Sequence, residues 1–200
     1  SWEALYCDVS LEKIETQAEL AKKAGMELFV LDDGWFRSGN TTRTSMGDWI
    51  CNENKLPGGI SAAARIVHEK GLQFGLWFEP EAVGKDSILC QEHPDWVIHV
   101  PGYSMTEGRH EYLLDLSQEP VRNYIKHMLH SYLKDGEIDY IKWDMNRPLT
   151  DVNSVLLDHN HKGETSHRYI LGLYDILNWL KQTYPELLVE GCSSGGARFD

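Results

Sequence analysis

Strand-like apolar segments alternate with amphipathic helical segments along this chain, and no other feature of the sequence constrains its fold as strongly. The strand-like segments occupy residues 27–32, 73–78, 140–144 and 187–192. The first two are almost uninterrupted apolar runs, which is typical of strands buried on both faces of a parallel sheet. Between these segments apolar residues recur at helical spacing, which predicts helices at 11–24, 61–70, 120–134 and 168–184.

Residues that favour helix ends stand at the limits of the predicted helices. Ser10 is suited to cap the first helix and Gly25 is suited to end it. Gly71 follows the second helix, and Pro120 opens the third at a position where proline is tolerated. Before the first helix, side chains alternate over residues 2–6 in a pattern that predicts an additional strand.

This order of elements predicts an α/β fold, a (β/α)8 TIM barrel truncated to about its first five strands. A complete barrel takes about 250 residues, so we expect residues 1–200 to form one partial barrel domain, with the rest of the barrel and the flanking domains absent. Periodicity is poor at about 83–118, where we expect an insertion with a short strand at 112–116. A doubly wound open sheet is the alternative, but no G-x-G-x-x-G motif follows a predicted strand.

The charge balance argues against two classes of partner. The formal net charge is -12 at pH 7, whereas nucleic acids and anionic membranes are bound by basic surfaces. We therefore expect neither partner and favour a neutral substrate. No apolar run approaches the roughly 20 residues of a transmembrane helix, and the first residues do not resemble a signal peptide. The 4 cysteines are far apart in sequence, which indicates free thiols and a cytoplasmic protein.

The segment 140–147 begins as an apolar strand and ends in charged and amide side chains, which are rarely buried unless they have a function. Because side chains alternate along a strand, Lys142 and Asp144 are predicted to share one face, and the ammonium group should favour an ionised Asp144 with a low pKa. Such a carboxylate can act as a nucleophile, a general base or a metal ligand, and Asn146 and Arg147 can bind polar substrate atoms. The structural alternative is that Asp144 caps the next segment and Lys142 extends into water.

Candidate functional residues stand where the predicted strands end. They are Trp2, Asp32, Asp33, Trp77, Glu79, Glu81, Lys142, Asp144, Asn146, Glu190, Cys192 and Gly195. The strand ends of a parallel barrel meet at one face, where barrel enzymes place their active sites. Carboxylates accept paired hydrogen bonds from adjacent hydroxyl groups, and indole rings stack on the apolar face of a pyranose. The set therefore predicts a sugar-binding cleft, with Arg109 of the insertion folded over it as a positive donor.

Each member of this set also has a purely structural interpretation. Asp32, Asp33 and Gly34 form a common turn sequence, and an indole such as that of Trp77 often only packs in a core. No histidine lies close to Cys192 in sequence to activate its thiol, so this residue is interpreted as a small apolar filler. The common position of all these residues at strand ends is what favours a site.

Five motifs occur in an order that resembles the microbial α-galactosidases of glycoside hydrolase family 36. They are Leu-Asp-Asp-Gly-Trp-Phe at 31–36, Gly-Asp-Trp at 47–49, Gly-Leu-Trp-Phe-Glu-Pro-Glu at 75–81, Tyr-Ile-Lys-Trp-Asp-Met-Asn-Arg at 140–147, and the segment 192–200. The resemblance runs over the whole chain, and Lys-Trp-Asp-Met-Asn-Arg at 142–147 is highly specific.

The resemblance implies a retaining exo-α-galactosidase that removes terminal α-galactosyl residues from sugars such as melibiose or raffinose, with Asp144 as the nucleophile. It implies a galactose pocket lined by Trp2, Asp32, Asp33, Trp77, Arg109, Lys142, Asn146, Cys192 and Gly195. The family pattern places the general acid/base beyond Asp200, so the chain alone is expected to be inactive. No metal or organic cofactor is implied, because two carboxyl groups suffice for the chemistry. The full-length protein is expected to be a homo-oligomer such as a tetramer.

Three other functions remain compatible with the residues. A transglycosylase of the raffinose-synthase kind would share the barrel and the nucleophile but would pass galactose to another sugar. A magnesium-dependent barrel enzyme of the enolase type would use Asp32, Glu79 and Asp144 as ligands, although a lysine beside the last of these opposes a dication there. A sugar-binding module without catalytic activity would bind galactose and show no turnover.

Overall fold

The computed structural model describes residues 1–36 and 45–194 of the chain. Six strands lie in these ranges: β1 Leu28–Leu31, β2 Gln73–Phe78, β3 Ala82–Gly84, β4 Glu111–Leu113, β5 Tyr140–Trp143 and β6 Leu188–Gly191. The same ranges contain six α-helices: α1 Trp2–Leu5, α2 Leu11–Lys23, α3 Gly59–Glu69, α4 Ile88–Glu92, α5 Glu119–Leu133 and α6 Thr165–Thr183. Two short 3-10 helices lie at Pro94–Trp96 and Lys162–Glu164.

Four of the strands form one parallel sheet in the order β1-β2-β5-β6. In this sheet Trp77 of β2 pairs with Lys142 of β5, and Trp143 of β5 pairs with Gly191 of β6. Helices α3, α5 and α6 lie between successive strands of the sheet along the chain, as crossover connections of parallel strands require. The predicted α/β fold with a parallel sheet is therefore confirmed, and all four strands end at the same edge.

The helices cover the sheet with small and branched apolar side chains. Helix α3 buries Ala63, Ala64 and Val67 among its apolar residues, and small side chains of this kind let a helix approach a sheet closely. Ser10 caps α2 as predicted, because its side-chain oxygen accepts a hydrogen bond from the Lys13 amide at 3.3 Å. Within the part of the chain that the structure describes, no helix combines the length and apolarity needed to cross a bilayer.

Helix α6 lies against the loop before α5 at Gly172. A Cβ atom added at this glycine would lie 2.0 Å from the Leu116 carbonyl oxygen, so the two backbones meet only because no side chain separates them. We expect Gly172→Ala to reduce stability by about 2 to 3 kcal/mol through overpacking, measured as a fall in melting temperature. Gly163→Ala is the matched control, since nothing lies within 4 Å of its added Cβ. Equal melting temperatures of the two variants would contradict this packing.

The strand predicted at 2–6 is wrong, because this segment forms the short helix α1. The backbone N–H groups of Ala4 and Leu5 donate to the Ser1 carbonyl oxygen at 3.2 and 3.1 Å, which closes a helical turn within the segment. A segment this short fits both the strand period and the helix period, so its apolar pattern does not decide between them. The described part of the parallel sheet consequently has four strands, not the five expected.

The insertion is more regular than its sequence predicts. Strand β4 contains part of the strand predicted at 112–116, and it pairs in antiparallel fashion with β3, so that the inserted segment has its own two-stranded sheet. Helix α4 and a 3-10 helix lie between these two strands. Strand β3, helix α4 and the 3-10 helix are only 3 to 5 residues long, too short for a hydrophobic period to reveal them.

An aromatic cluster packs against β2 and holds Trp77 in place. Trp35 stacks on Trp49 with ring centroids 6.0 Å apart, and Phe36 stacks on Trp77 at 6.3 Å. The indole N–H of Trp35 donates to the Trp77 carbonyl oxygen at 3.0 Å, so its polar atom is satisfied inside the core. Trp77 is only 2% exposed within this cluster, so neighbouring rings restrict the orientation of its indole.

Candidate active site

The carboxyl ends of the parallel strands bring together polar side chains from distant parts of the chain. Asp32 follows β1, Glu79 follows β2, Asp144 follows β5 and Cys192 follows β6. The Asp144 N–H donates to the Phe78 carbonyl oxygen at 2.8 Å, so the hydrogen-bond ladder between β2 and β5 continues one residue beyond β5. This edge of the sheet is the candidate active site.

Asp144 is a buried carboxylate that is held by several hydrogen bonds. Trp77 Nε1 and Asn146 Nδ2 donate to its Oδ2 at 3.1 and 2.7 Å, and the Met145 N–H donates to its Oδ1 at 2.9 Å. Burial alone would raise the pKa of Asp144. Hydrogen bonds from these three groups and from the Cys192 thiol outweigh burial and hold the pKa below its ordinary value. The site therefore contains an ionised carboxylate that is only 6% exposed.

Lys142 forms its ion pair with Asp32 rather than with Asp144, which corrects the pairing predicted from sequence. The Lys142 Nζ lies 2.7 Å from Asp32 Oδ2. Burial lowers the pKa of Lys142, but the hydrogen bond and charge of Asp32 outweigh burial and raise it. Residues two apart on a strand project side by side from one face, so a long side chain can reach a neighbouring strand instead. The low pKa of Asp144 consequently comes from neutral donors.

Asp32 and Asp33 form a tight turn directly after β1. Asp32 Oδ1 accepts the Asp33 N–H at 2.9 Å, and Ser1 Oγ accepts the Asp32 N–H at 3.1 Å. Gly34 completes the turn with a φ of +106°, where an added Cβ would come within 2.7 Å of the Cys7 Cα. The turn therefore fixes two adjacent buried carboxylates at the edge of the sheet.

Asn146 joins three parts of the site through its side-chain amide. Its Nδ2 donates to Asp144 Oδ2 at 2.7 Å and to Glu79 Oε2 at 3.1 Å. Its Oδ1 accepts hydrogen bonds from the Ser194 N–H at 3.0 Å and the Ser194 hydroxyl at 2.7 Å. Burial raises the pKa of Glu79, against the opposing effect of its hydrogen bonds from Asn146. The amide thus links the segments after β2, β5 and β6.

Arg147 is occupied by the protein backbone. Its buried guanidinium donates to the carbonyl oxygens of Thr106, Glu111 and Pro148. The sequence-based hypothesis that this arginine binds polar substrate atoms is therefore replaced by a structural role. Arg147 ties the insertion to the loop after β5, and burial lowers the pKa of its guanidinium.

Arg109 lies on the part of the insertion that Arg147 holds. Its backbone has a φ of +56°, and its side chain is partly exposed. The Arg109 Nε is 3.9 Å from Glu111 Oε1, and its positive charge also acts on Glu79. The guanidinium is therefore close enough to the candidate site to affect a carboxylate at the end of β2.

Trp2 lies at the rim of the candidate site. It is 37% exposed and shares an open groove with Asp32 and Lys142. Its ring meets the Tyr6 ring edge-on with centroids 5.1 Å apart. Gly195, which the sequence predicts for the pocket, and Asp200 lie outside the described residues.

Cys192 is half-buried and touches the carboxylate at the end of the neighbouring strand. Its backbone N–H donates to the Trp143 carbonyl oxygen at 2.7 Å, which extends the β5-β6 ladder. Its thiol donates a hydrogen bond to Asp144. A small apolar filler would make no such contact, so this cysteine has a polar role at the site.

The donors at the site do not suit a divalent cation. Asp32 is paired with Lys142, and the amide nitrogen of Asn146 bridges Glu79 and Asp144. In the described ranges no three His, Cys, Asp or Glu side chains are grouped so that they could hold an ion. The geometry therefore disagrees with the enolase-type magnesium site that the sequence left open.

Three contacts that organise Asp144 are not visible in the sequence. The sequence predicts a stacking role for Trp77, whereas its indole N–H donates to the carboxylate. Glu79 stands out only as a strand-end carboxylate, and Ser194 only as part of the motif segment 192–200. Their contacts depend on the register between strands, and the only sequence signal is that each residue lies at or just beyond the end of a predicted strand.

The fold and the site define an α/β protein with a carboxylate-lined cleft at the ends of its parallel strands. A model of the Melibiase family matches residues 1–200. The chain therefore belongs to the Melibiase family, and the resemblance seen in its motifs is confirmed.

Relatives match the entire chain. α-Galactosidase 1 of Pediococcus pentosaceus is 48% identical over 200 residues, which are 100% of this chain and 27% of that protein. The crystal structure of GH36 α-galactosidase AgaA from Geobacillus stearothermophilus has a TM-score of 0.96 and 48% identity, covering 100% of this chain and 28% of AgaA. A substituted form of AgaA in complex with raffinose has a TM-score of 0.95, 47% identity and the same coverage. The chain thus spans about a quarter of the length of these relatives.

Proposed function

We propose that the full-length protein carrying this chain is a retaining exo-α-galactosidase and that Asp144 is its nucleophile. The observation that carries the proposal is the setting of the Asp144 carboxylate, which is buried and receives hydrogen bonds from Trp77 at 3.1 Å and Asn146 at 2.7 Å. A carboxylate kept ionised at the strand ends of a parallel sheet is placed to attack a bound substrate. Family membership and the α-galactosidase names of the relatives support the same reaction.

The proposed reaction proceeds in two displacement steps. An Asp144 oxygen attacks the anomeric carbon of the terminal galactose, the bond to the leaving oxygen breaks, and a general acid protonates that oxygen. The same group then takes a proton from water, whose oxygen bonds to the anomeric carbon as the ester to Asp144 breaks. A retaining reaction of this kind needs a second carboxyl group about 5 to 5.5 Å from the nucleophile. We expect that group beyond residue 200, as the family resemblance implies.

The side chains around Asp144 suit a neutral hexose. The adjacent carboxylates of Asp32 and Asp33 can accept paired hydrogen bonds from neighbouring hydroxyl groups. Lys142 remains partly exposed beside Asp32 and can donate to the same hydroxyl groups. The remaining residues of the proposed pocket are Trp2, Trp77, Arg109, Asn146, Cys192 and Gly195. An uncharged substrate fits this site because the Lys142 ammonium group is already paired with the Asp32 carboxylate.

We further infer that the described sheet is part of a (β/α)8 barrel in the full-length protein. The parallel strands and their helical crossovers support this inference. The TM-score of 0.96 to about a quarter of a GH36 α-galactosidase also supports it. The raffinose complex of that relative favours raffinose-type or melibiose-type α-galactosides as substrates.

The stereochemistry of the first product tests the proposed mechanism. We expect the full-length protein to release α-galactose from p-nitrophenyl α-galactoside, because two successive inversions at the anomeric carbon retain its configuration. Proton NMR during the first minutes distinguishes this product before it equilibrates with the β-anomer. β-Galactose as the first product would contradict a covalent intermediate on Asp144.

The same assay separates hydrolysis from galactosyl transfer. With an excess of acceptor sugar, a hydrolase still releases free galactose as its main product. A galactosylated acceptor as the main product would instead indicate a transglycosylase of the raffinose-synthase kind. Galactose binding without turnover in the full-length protein would indicate a sugar-binding module.

A further inference from the structure

Glu79 is a buried carboxylate to which the proposed reaction assigns no step. It follows β2 and is 0% exposed. A carboxylate is costly to bury unless hydrogen bonds replace its lost water. The groups that donate hydrogen bonds to Glu79 therefore indicate its role in the site.

Glu79 holds Asn146 with both of its carboxylate oxygens. Its Oε1 accepts the backbone N–H of Asn146, and its Oε2 accepts the side-chain Nδ2 at 3.1 Å. One contact fixes the position of the Asn146 backbone, and the other fixes the plane of the amide. The residue two positions after Asp144 is thereby attached to the end of β2.

The surroundings of the Asn146 amide permit only one orientation. The Nδ2 faces two acceptors, Glu79 Oε2 and Asp144 Oδ2, while the Oδ1 faces the N–H and hydroxyl donors of Ser194. A flipped amide would set its oxygen against two carboxylates and its nitrogen against a backbone N–H. Without Glu79, only Asp144 would oppose this flip from the carboxylate side.

We propose that Glu79 is a positioning residue for the nucleophile, an inference that rests on the proposed function of Asp144. By orienting the amide of Asn146, it holds the donor that fixes Asp144 Oδ2 at 2.7 Å. Glu79 acts through Asn146, since its carboxylate is fully buried and both of its oxygens accept N–H groups of that residue. It should therefore influence mainly the rate of attack, and any effect on substrate affinity should pass through Asn146.

Opposing effects act on the charge of Glu79. Burial and the negative charge of Asp144 raise the pKa of Glu79, whereas the hydrogen bonds from Asn146 and the positive charge of Arg109 lower it. The two-oxygen contact with Asn146 is strongest for the anion, in which both oxygens are full acceptors for the two N–H groups. Arg109 therefore supports the charge state in which Glu79 orients the amide.

Glu79→Gln in the full-length protein tests the inference with little change in side-chain volume. Glutamine replaces one acceptor oxygen with an NH2 group that faces the N–H donors of Asn146. We expect kcat for p-nitrophenyl α-galactoside to fall by about 10²-fold, as misplacement of a reacting group does, with a much smaller change in KM. A rise in KM at wild-type kcat would overturn the inference, because it would indicate a direct contact with substrate.

A double-mutant cycle with Asn146→Ala shows whether Glu79 acts through the amide. Once Asn146 is alanine, Glu79→Gln should reduce kcat little further, because the group it orients is gone. If the fold-reduction of kcat in the double variant equals the product of the reductions in Glu79→Gln and Asn146→Ala, the inference is overturned.

Glu81→Gln is the matched control for the loss of a buried carboxylate. Glu81 is also 0% exposed, but it accepts hydrogen bonds from Trp143 Nε1 at 2.9 Å and from the Tyr169 hydroxyl. Its effect on kcat should therefore be independent of Asn146→Ala. The same non-additivity for Glu81→Gln as for Glu79→Gln would overturn the specific link between Glu79 and Asn146.

Two results distinguish a failure of this inference from a failure of the proposed function. Wild-type kcat in Asp144→Ala would remove the proposed function itself. An inactive Asp144→Ala together with wild-type kcat in Glu79→Gln would remove only the positioning role. Should Glu79→Gln not fold, Asn146→Ala alone decides, because wild-type kcat in that variant would show that the amide is not needed.

Discussion

Asp144→Ala should reduce kcat of the full-length protein by about 10⁴-fold or more, because it removes the attacking carboxylate and with it the covalent route. The indole N–H of Trp77 and the amide of Asn146, which now donate to that carboxylate, would face a gap that water can enter. Steady-state assays with p-nitrophenyl α-galactoside measure the loss. The p-nitrophenolate leaving group needs little help from an acid, so the assay reports mainly on attack at the anomeric carbon.

Azide should restore part of the activity of Asp144→Ala. The small anion can occupy the space of the missing carboxylate and attack the anomeric carbon from the same side, giving β-galactosyl azide. Asp139→Asn is the matched control: this carboxylate lies before β5, at the opposite end from Asp144, and bonds the His68 ring and the Phe74 N–H, each at 2.8 Å. It should retain wild-type kcat. Substantial residual activity in Asp144→Ala, with no azide product, would contradict the nucleophile role.

The long elements of the fold could be predicted because their patterns run over enough residues. β2 is observed at the predicted residues 73–78, and α2 begins at the predicted Leu11 and ends within one residue of the predicted end. Short elements could not be predicted this way. Helix α1 has 4 residues and strand β3 has 3, and neither is long enough for its apolar pattern to distinguish a helix from a strand.

The sequence predicts where the candidate site lies, but it does not predict which side chains form hydrogen bonds and ion pairs within it. Asp32 and Asp144 both follow buried parallel strands, and such strands necessarily end at one edge. The partner of Lys142 depends on which strands are neighbours across the sheet, so the ion pair with Asp32 could not be derived from spacing. The role of Arg147 was hidden for a similar reason, because the carbonyl oxygens that it binds carry no sequence signal.

The structure separates two kinds of carboxylate environment. Asp144 is stabilised as an anion by neutral donors, whereas Asp32 is neutralised by the ammonium group of Lys142. In the proposed mechanism this difference is useful, since a carboxylate held in a tight ion pair is a poorer nucleophile than one held by neutral hydrogen bonds. The Lys142–Asp32 pair is instead suited to binding hydroxyl groups, which need both a donor and an acceptor.

Lys142→Met should therefore reduce both stability and activity. Asp32 is buried, and removal of one partner of a buried ion pair costs about 3 kcal/mol, because the remaining charge loses its compensation. Separately, loss of the charged donor to substrate hydroxyl groups should cost about 1.5 to 3 kcal/mol in transition-state binding, which is about 10- to 10²-fold in kcat/KM. Melting temperature and kcat/KM of the full-length variant measure the two effects.

Adding Asp32→Asn to Lys142→Met separates the two effects. The double variant has no uncompensated charge, so its melting temperature should recover while kcat/KM stays low, because the hydroxyl-binding pair is still missing. Lys70→Met is the matched control, since Lys70 forms an ion pair of similar length, 2.9 Å, with the exposed Glu15, and exposed pairs contribute little to stability. Wild-type kcat/KM in Lys142→Met, or a melting temperature that stays low in the double variant, would contradict the role assigned to this pair.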